Sequence, residues 1–62
     1  MITINIETGN AAFESMPGFE VARILRNAAA LLKEQDDFVT HGEIFPLYDI
    51  NGNKVGSVYV GE

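Results

Sequence analysis

The chain begins with a strict alternation of apolar and polar side chains. Isoleucine stands at positions 2, 4 and 6, and Thr3, Asn5 and Glu7 lie between and after them. A period of two in residues that favour extended backbone predicts a strand over residues 2–7, with the isoleucines facing a core. Thr8, Gly9 and Asn10 follow, and glycine and asparagine tolerate the turn that would end this strand.

A helical pattern comes next, after a short connector whose Phe13 and Met16 are predicted to plug the core. Apolar residues recur at spacings of three and four, which predicts an amphipathic helix over Pro17–Glu34. The apolar stripe consists of Val21, Ile24, Leu25, Ala28, Leu31 and Leu32. Proline suits the first turn of a helix, and Ser15 is the predicted side-chain cap.

Two apolar segments, residues 44–50 and 54–60, flank the dipeptide Asn51-Gly52, which is the strongest short-range signal for a β-hairpin. Two registers remain open for it. A two-residue turn would pair Phe45 with Val58. A three-residue turn with a left-handed glycine would instead pair Leu47 with Val55, and Asp at its first position and Gly at its fourth favour this form.

These elements predict an α+β fold, a two-layer β-α-β-β arrangement that forms one domain over residues 1–62. Strands joined through a helix run parallel when they share a sheet. Pro46 has no backbone N–H to donate to a neighbouring strand and therefore suits an edge strand. The expected sheet is three-stranded and mixed, of order 1-3-2, with its central strand antiparallel to both neighbours and the helix on one face.

The hairpin carries apolar side chains on both faces, whereas one helix covers only one. In the first strand of the hairpin, alternation places Phe45 and Leu47 on one face and Ile44, Tyr48 and Ile50 on the other. In the second strand, the odd-numbered Val55 and Tyr59 share one face, and the even-numbered Val58 and Val60 share the other. An exposed apolar patch of this scale usually marks an interface. We therefore expect self-association through this face or a strand edge, or docking on another protein. Alternatively, Phe13, Phe38 and the connectors fold over the patch.

Composition narrows the class of protein. The 62 residues include nine acidic and four basic side chains, for a net charge of −5, with one His and no Cys. A hydrophobic fraction of 47% is too high for a disordered acidic tail. The charge disfavours direct binding to nucleic acid or to anionic membranes and is compatible with a basic protein partner. No signal-peptide pattern or membrane-spanning run is present, so we expect a cytoplasmic protein.

Two segments resemble chemical sites, and each has a simpler interpretation. Residues 49–53 read like the start of a calcium loop, but Lys54 and Val60 stand where that loop needs Gly and Glu, which favours a plain turn. His41 could serve as a general base with Glu43, Asp36 or Asp37 as the orienting carboxylate, yet no nucleophile or metal-ligand motif accompanies it. A solvent-exposed loop histidine is the simpler interpretation. We therefore assign no catalytic, cofactor-binding or metal-binding residue.

Acidic residues cluster where the helix is predicted to end. Glu34, Asp36 and Asp37 lie at the end where the helix dipole disfavours negative charge. The cluster indicates an acidic recognition patch, or else simply aids solubility. Arg23 and Arg26 fall with Glu20 on the outer helix face. They could pair with that glutamate, bind an acidic group or remain solvated.

Three segments of the chain, residues 10–13, 20–25 and 49–56, together resemble a set of short proteins encoded by bacterial phages, prophages and plasmids. The quoted residues read NAAF, EVARIL and DINGNKVG. The resemblance implies a mobile-element context, in which small acidic proteins often bind a host protein, for instance as inhibitors of host defence. It carries no catalytic residue.

The sequence thus predicts a non-enzymatic protein-binding module and a homodimer, with a host protein of basic surface as a further partner. The residues expected to make contacts are Tyr48, Tyr59, Glu34, Asp36 and Asp37. If the partner surface normally binds nucleic acid, the acidic residues would imitate phosphates. Two alternatives remain: a structural or oligomerisation subunit, and an enzyme whose site forms only at a dimer interface.

Overall fold

The computed structural model describes residues 1–34 and 43–61, and it confirms the β-α-β-β order. The elements are strand β1 (Ile2–Ile6), a 3-10 turn (Ala11–Phe13), helix α1 (Pro17–Glu34), strand β2 (Glu43–Tyr48) and strand β3 (Lys54–Val60). Within these residues no helix has the length and apolarity needed to cross a bilayer.

The three strands form one sheet of order β1-β3-β2, as the sequence predicts. Val58 of the central strand lies opposite Ile4 on one side and Phe45 on the other. Both ladders are antiparallel, so the sheet is antiparallel rather than mixed. The two outer strands run parallel to each other but are not paired.

The hairpin turn spans Asp49 to Gly52. The Gly52 N–H donates to the Asp49 carbonyl at 3.0 Å, and Gly52 has a φ of 85°, the left-handed region that favours glycine. The Asp49 N–H also donates to the Asn53 carbonyl at 2.9 Å, which closes a three-residue loop. The three-residue turn is therefore the one that forms.

Beyond the turn the register changes. Tyr48 lies opposite Lys54, but Phe45 lies opposite Val58, as the two-residue turn would have required. A β-bulge at Leu47 and Tyr48 accommodates the difference, because β3 contributes one extra residue there. Val55 is that residue, and the bulge turns it into the core. Val55 and Tyr59 therefore lie on opposite faces of the sheet, although both positions are odd-numbered and strict alternation would place them on the same face.

The core lies between α1 and the sheet. Its buried side chains are Phe13, Ile24, Ala28, Leu47, Val55, Val58 and Val60. Phe13 plugs the core as predicted, but Met16 is 58% exposed, and that prediction is wrong. The Met16 carbonyl accepts the N–H of Glu20 at 3.1 Å, so Met16, rather than Ser15, occupies the position just before the helix.

The helix does not cover the sheet evenly. It contacts β2 and the 3-10 turn most extensively, so β1 is only partly sheltered. Ile2 and Ile4 share the core side with Val60 and Val58, their ladder partners, yet remain 45% and 41% exposed. Leu25 is also exposed, at 42%. Ile2 and Ile4 therefore lie on the predicted core side but are only partly covered, and Leu25 lies at the exposed flank of the predicted apolar stripe.

Candidate interaction surface

The sheet face turned away from α1, here called the outer face, carries exposed apolar side chains. Ile44 and Tyr59 lie opposite each other in the ladder, and Tyr48 follows Ile44 at the alternate positions of β2. The exposed fractions of Ile44, Tyr48 and Tyr59 are 62%, 50% and 43%. The predicted exposure of this face is confirmed. Ile50, in the turn, is 69% exposed.

Phe13 does not cover the outer face, because it is buried on the opposite side of the sheet, beneath the helix. Phe38 lies outside the described residues. The ring of Tyr59 lies over Gly61, where a side chain would collide with it. The glycine therefore gives this tyrosine room to lie close to the backbone.

The predicted acidic patch is described only in part. Glu34 is exposed at the last position of α1. Asp36 and Asp37 lie outside the described residues, as does His41. The clustering of Asp36 and Asp37 with Glu34 therefore stays a prediction, as does the exposed loop position of His41.

A buried polar cluster ties the helix, the 3-10 turn and the hairpin together. Glu20 is only 6% exposed, so its predicted place on the outer helix face is wrong. Its carboxylate accepts Nε and Nη2 of Arg23 at 2.8 and 3.0 Å and the Ile50 N–H at 2.8 Å. The pairing of Arg23 with Glu20 is thereby confirmed. The spacing of Glu20, Ile24 and Ala28 at intervals of four places Glu20 on the helix face that contacts the core, although the spacing alone does not show that a charged side chain is buried there.

Asp49 forms the second half of this cluster and is 4% exposed. Its Oδ1 accepts the N–H groups of Asn51 and Asn53, both at 2.9 Å. Its Oδ2 accepts Nδ2 of Asn10 at 2.7 Å and Nδ2 of Asn53 at 3.3 Å. Asn10 also caps the 3-10 turn, because its Oδ1 accepts the Ala12 N–H at 3.2 Å. Residues 49–53 are thus a turn, as predicted, with its carboxylate fully engaged.

These contacts set the charge of the cluster. The hydrogen bond from Arg23 lowers the pKa of Glu20, against an opposing effect of desolvation and with further help from the Ile50 N–H. Desolvation alone would raise the pKa of Asp49, but the hydrogen bonds from the three asparagines outweigh it and lower the pKa. The bond to Glu20 raises the pKa of Arg23. Both carboxylates therefore stay ionised in the folded protein at neutral pH.

The cluster holds the helix, the 3-10 turn and the hairpin together through hydrogen bonds. Within residues 1–34 and 43–61, every buried polar side-chain atom has a hydrogen-bond partner. In the same part of the chain, no three His, Asp or Glu side chains lie close enough together to hold a metal ion. A carboxylate whose oxygens are already occupied is poorly placed to take up a proton or a ligand.

An open groove of about 510 Å³ runs between α1 and β2. Its lining includes Asn27 and Leu31 of the helix and Phe45, Pro46 and Tyr48 of the strand. It is mostly apolar, and it borders the outer face at Tyr48. The groove follows from the position of the helix over β2.

Comparison with known proteins adds no relative, since no family model, no curated protein and no solved structure matches the chain.

Proposed function

We propose that this chain is a small acidic, non-enzymatic module that binds another protein through its outer face and covers a functional surface of it. One observation carries the proposal: Ile44, Tyr48 and Tyr59 are exposed on a sheet face that no described element covers. Aromatic side chains of this kind are enriched where proteins bind one another. The buried carboxylates of Glu20 and Asp49 already accept hydrogen bonds on both oxygens, which supports a non-enzymatic role for the module.

The charge of the chain indicates what kind of partner fits. With a net charge of −5, the protein is attracted to a basic surface and repelled by an acidic one. Glu34, together with Asp36 and Asp37, would face such a partner. In a bacterial cytoplasm, the mobile-element resemblance makes this partner a host protein, such as a component of host defence. Where the covered surface normally binds nucleic acid, the carboxylates take the place of phosphates.

The experiment compares two variants in quantitative capture from a host-cell lysate. The first, Ile44→Thr with Tyr59→Thr, replaces two of the three exposed apolar side chains of the outer face with a residue that favours strands. The second, Phe19→Thr, removes an aromatic side chain that is 68% exposed on α1, away from the sheet. Proteins retained by the original chain are identified by mass spectrometry and their recovery is measured for each variant.

The proposal predicts that the outer-face variant loses a specific captured protein at least tenfold, whereas Phe19→Thr retains it. Equal retention by both variants would remove the outer face from the interaction. Loss with both would indicate non-specific apolar adhesion. A fixed stoichiometric complex with proteins encoded beside it would instead support a structural subunit.

A further inference from the structure

The two edges of the sheet differ in how much backbone they leave free. The Glu7 N–H donates to the Val55 carbonyl at 2.8 Å, and the Gly61 N–H donates to the Met1 carbonyl at 3.0 Å. Residues directed toward the neighbouring strand alternate along an antiparallel ladder, so in β1 these are the odd positions. Ile2, Ile4 and Ile6 therefore direct their N–H and C=O groups outward, away from β3.

The edge formed by β2 is interrupted. The Asp49 N–H donates to the carbonyl of Asn53, just before β3, so the alternation directs the backbone of Ile44, Pro46 and Tyr48 outward. Proline has no N–H to offer. The Tyr48 carbonyl already accepts Nη2 of Arg23 at 3.3 Å. Among the described residues, β1 is thus the edge with consecutive free donors and acceptors.

The sequence of β1 suits pairing with itself. Isoleucine lies at its two ends and at its centre, and the small polar residues Thr3 and Asn5 lie symmetrically about Ile4. In an antiparallel two-fold register centred on Ile4, isoleucine faces isoleucine and Thr3 faces Asn5 of the second copy. The strand carries no charged side chain, so two acidic copies meet here without opposed carboxylates.

We propose that two copies of this chain pair edge to edge through β1, with Ile4 opposite Ile4, to form one six-stranded antiparallel sheet. The occupant of this edge is a second copy, because its side-chain pattern and free backbone groups are complementary to themselves. The partly exposed Ile2 and Ile4 are then covered. Both helices lie on one side, and the two outer faces join on the other.

This contact is small. Five residues per strand give about 17 Å of paired edge, which is less than a standard stable interface buries. We therefore expect a dimer whose dissociation constant lies in the micromolar range or above. Association at this edge is independent of what the outer face binds, so each proposal is tested without the other.

The first test uses the absence of cysteine in the chain. Thr3→Cys and Asn5→Cys variants are mixed under mild oxidation. In the proposed register these positions face each other in a non-hydrogen-bonded pair, where Cα atoms lie about 4.5 Å apart and a disulfide can form. Each variant alone places its own cysteines about 8 Å apart, too far for a strain-free bridge. We expect at least tenfold faster cross-linking in the mixture than in either variant alone.

Sedimentation equilibrium of the original chain and of Ile4→Pro provides the second test. The substitution removes an outward N–H from β1, just as Pro46 does in β2, and leaves the hydrogen bonds of the odd positions in place. We expect at least tenfold weaker self-association with an unchanged far-ultraviolet circular dichroism spectrum.

Equal cross-linking in the mixture and in the separate variants, or no association at millimolar concentration, would overturn the proposal. Loss of the dimer in the Ile44→Thr, Tyr59→Thr variant without loss in Ile4→Pro would transfer the contact to the outer face. If Ile4→Pro fails to fold, the cross-linking comparison alone decides between these results.

Discussion

At the scale of single residues, Gly56 shows how closely two strands can depend on a missing side chain. It lies opposite Ile6 in the ladder, and a Cβ atom there would overlap the backbone carbonyl oxygen of Asn5. Backbone cannot move aside as a flexible side chain can, so Gly56→Ala must push β1 away from β3. We predict a loss of about 1–3 kcal/mol in the free energy of unfolding, measured by urea denaturation.

Gly9→Ala is the matched control, because a Cβ atom at Gly9 meets nothing within 4 Å. This variant should unfold within about 0.5 kcal/mol of the original chain. Similar losses in the two variants would show that the contact with Asn5 is not responsible, because alanine lowers the entropy of the unfolded chain and by itself stabilises the fold.

The two buried carboxylates, also a matter of single residues, should make stability depend on acid. The folded protein lowers the pKa of both Glu20 and Asp49. Such groups stabilise the fold above their unfolded pKa values, about 4, and lose this effect as the pH falls through the lower folded values. The free energy of unfolding should be nearly constant from about pH 7 to 5 and fall steeply below about pH 4.

Removing one of these carboxylates tests the origin of that slope. Glu20→Gln should flatten the decrease in stability below about pH 4 and lower stability at neutral pH, because Arg23 loses its charged partner. Glu14→Gln, at an exposed position in the connector, is the control and should leave the slope unchanged. An unaltered slope in Glu20→Gln would assign the acid sensitivity to other groups.

At the scale of elements, the position of α1 over β2 decides which apolar residues matter. Ile24 is 1% exposed at the centre of the helix, whereas its neighbour Leu25 is 42% exposed on the flank. Ile24→Ala should therefore cost about 2–5 kcal/mol, and Leu25→Ala less than half of that, in the same urea titration. Equal costs would mean that a partner copy or a further segment covers Leu25 in solution.

The elements themselves were largely predictable, because local pattern determines them. The helix Pro17–Glu34 and the strand Lys54–Val60 have the bounds that periodicity and the Asn51-Gly52 turn indicate. The bulge was not predictable, because the turn residues favour the three-residue register next to the turn, whereas nothing in the apolar pattern indicates that the strands pair in the other register beyond it. Nor was the burial of Glu20, since a charged residue on the apolar stripe is buried only if a partner such as the Ile50 N–H arrives from elsewhere in the chain.

The proposed interaction residues illustrate the same limit. The exposure of Tyr48 and Tyr59 followed from counting faces: one helix cannot cover both sides of three strands. The incomplete cover of Ile2 and Ile4 could not be predicted in this way, because it depends on the lateral position of the helix over the sheet. Strand periodicity assigns a side chain to a face but does not show what lies over it.

At the scale of the whole molecule, charge should govern how fast the protein meets a basic partner. Reversing Glu34, Asp36 and Asp37 to lysine changes the net charge from negative to slightly positive without altering an apolar side chain. We predict slower association and a flatter dependence of the association rate on salt, measured by stopped-flow or surface-based kinetics. Unchanged kinetics would remove the acidic patch from the mechanism and leave the outer face alone.

Charge should oppose the pairing of two copies of this chain, whereas it favours binding to a basic partner. Each copy carries a net charge of −5, so bringing two together meets long-range repulsion, while the paired strand β1 contains no charged side chain. Salt screens that repulsion, with a Debye length of about 10 Å at 0.1 M. Raising the ionic strength from about 0.02 to about 0.5 M should therefore tighten the dimer while it weakens binding to a basic partner. In the register centred on Ile4, ion pairs are available only at the ends of the contact, between the Met1 ammonium of one copy and Glu7 of the other. A dimer that dissociates as salt is added would therefore be held by these end pairs rather than by the backbone of β1.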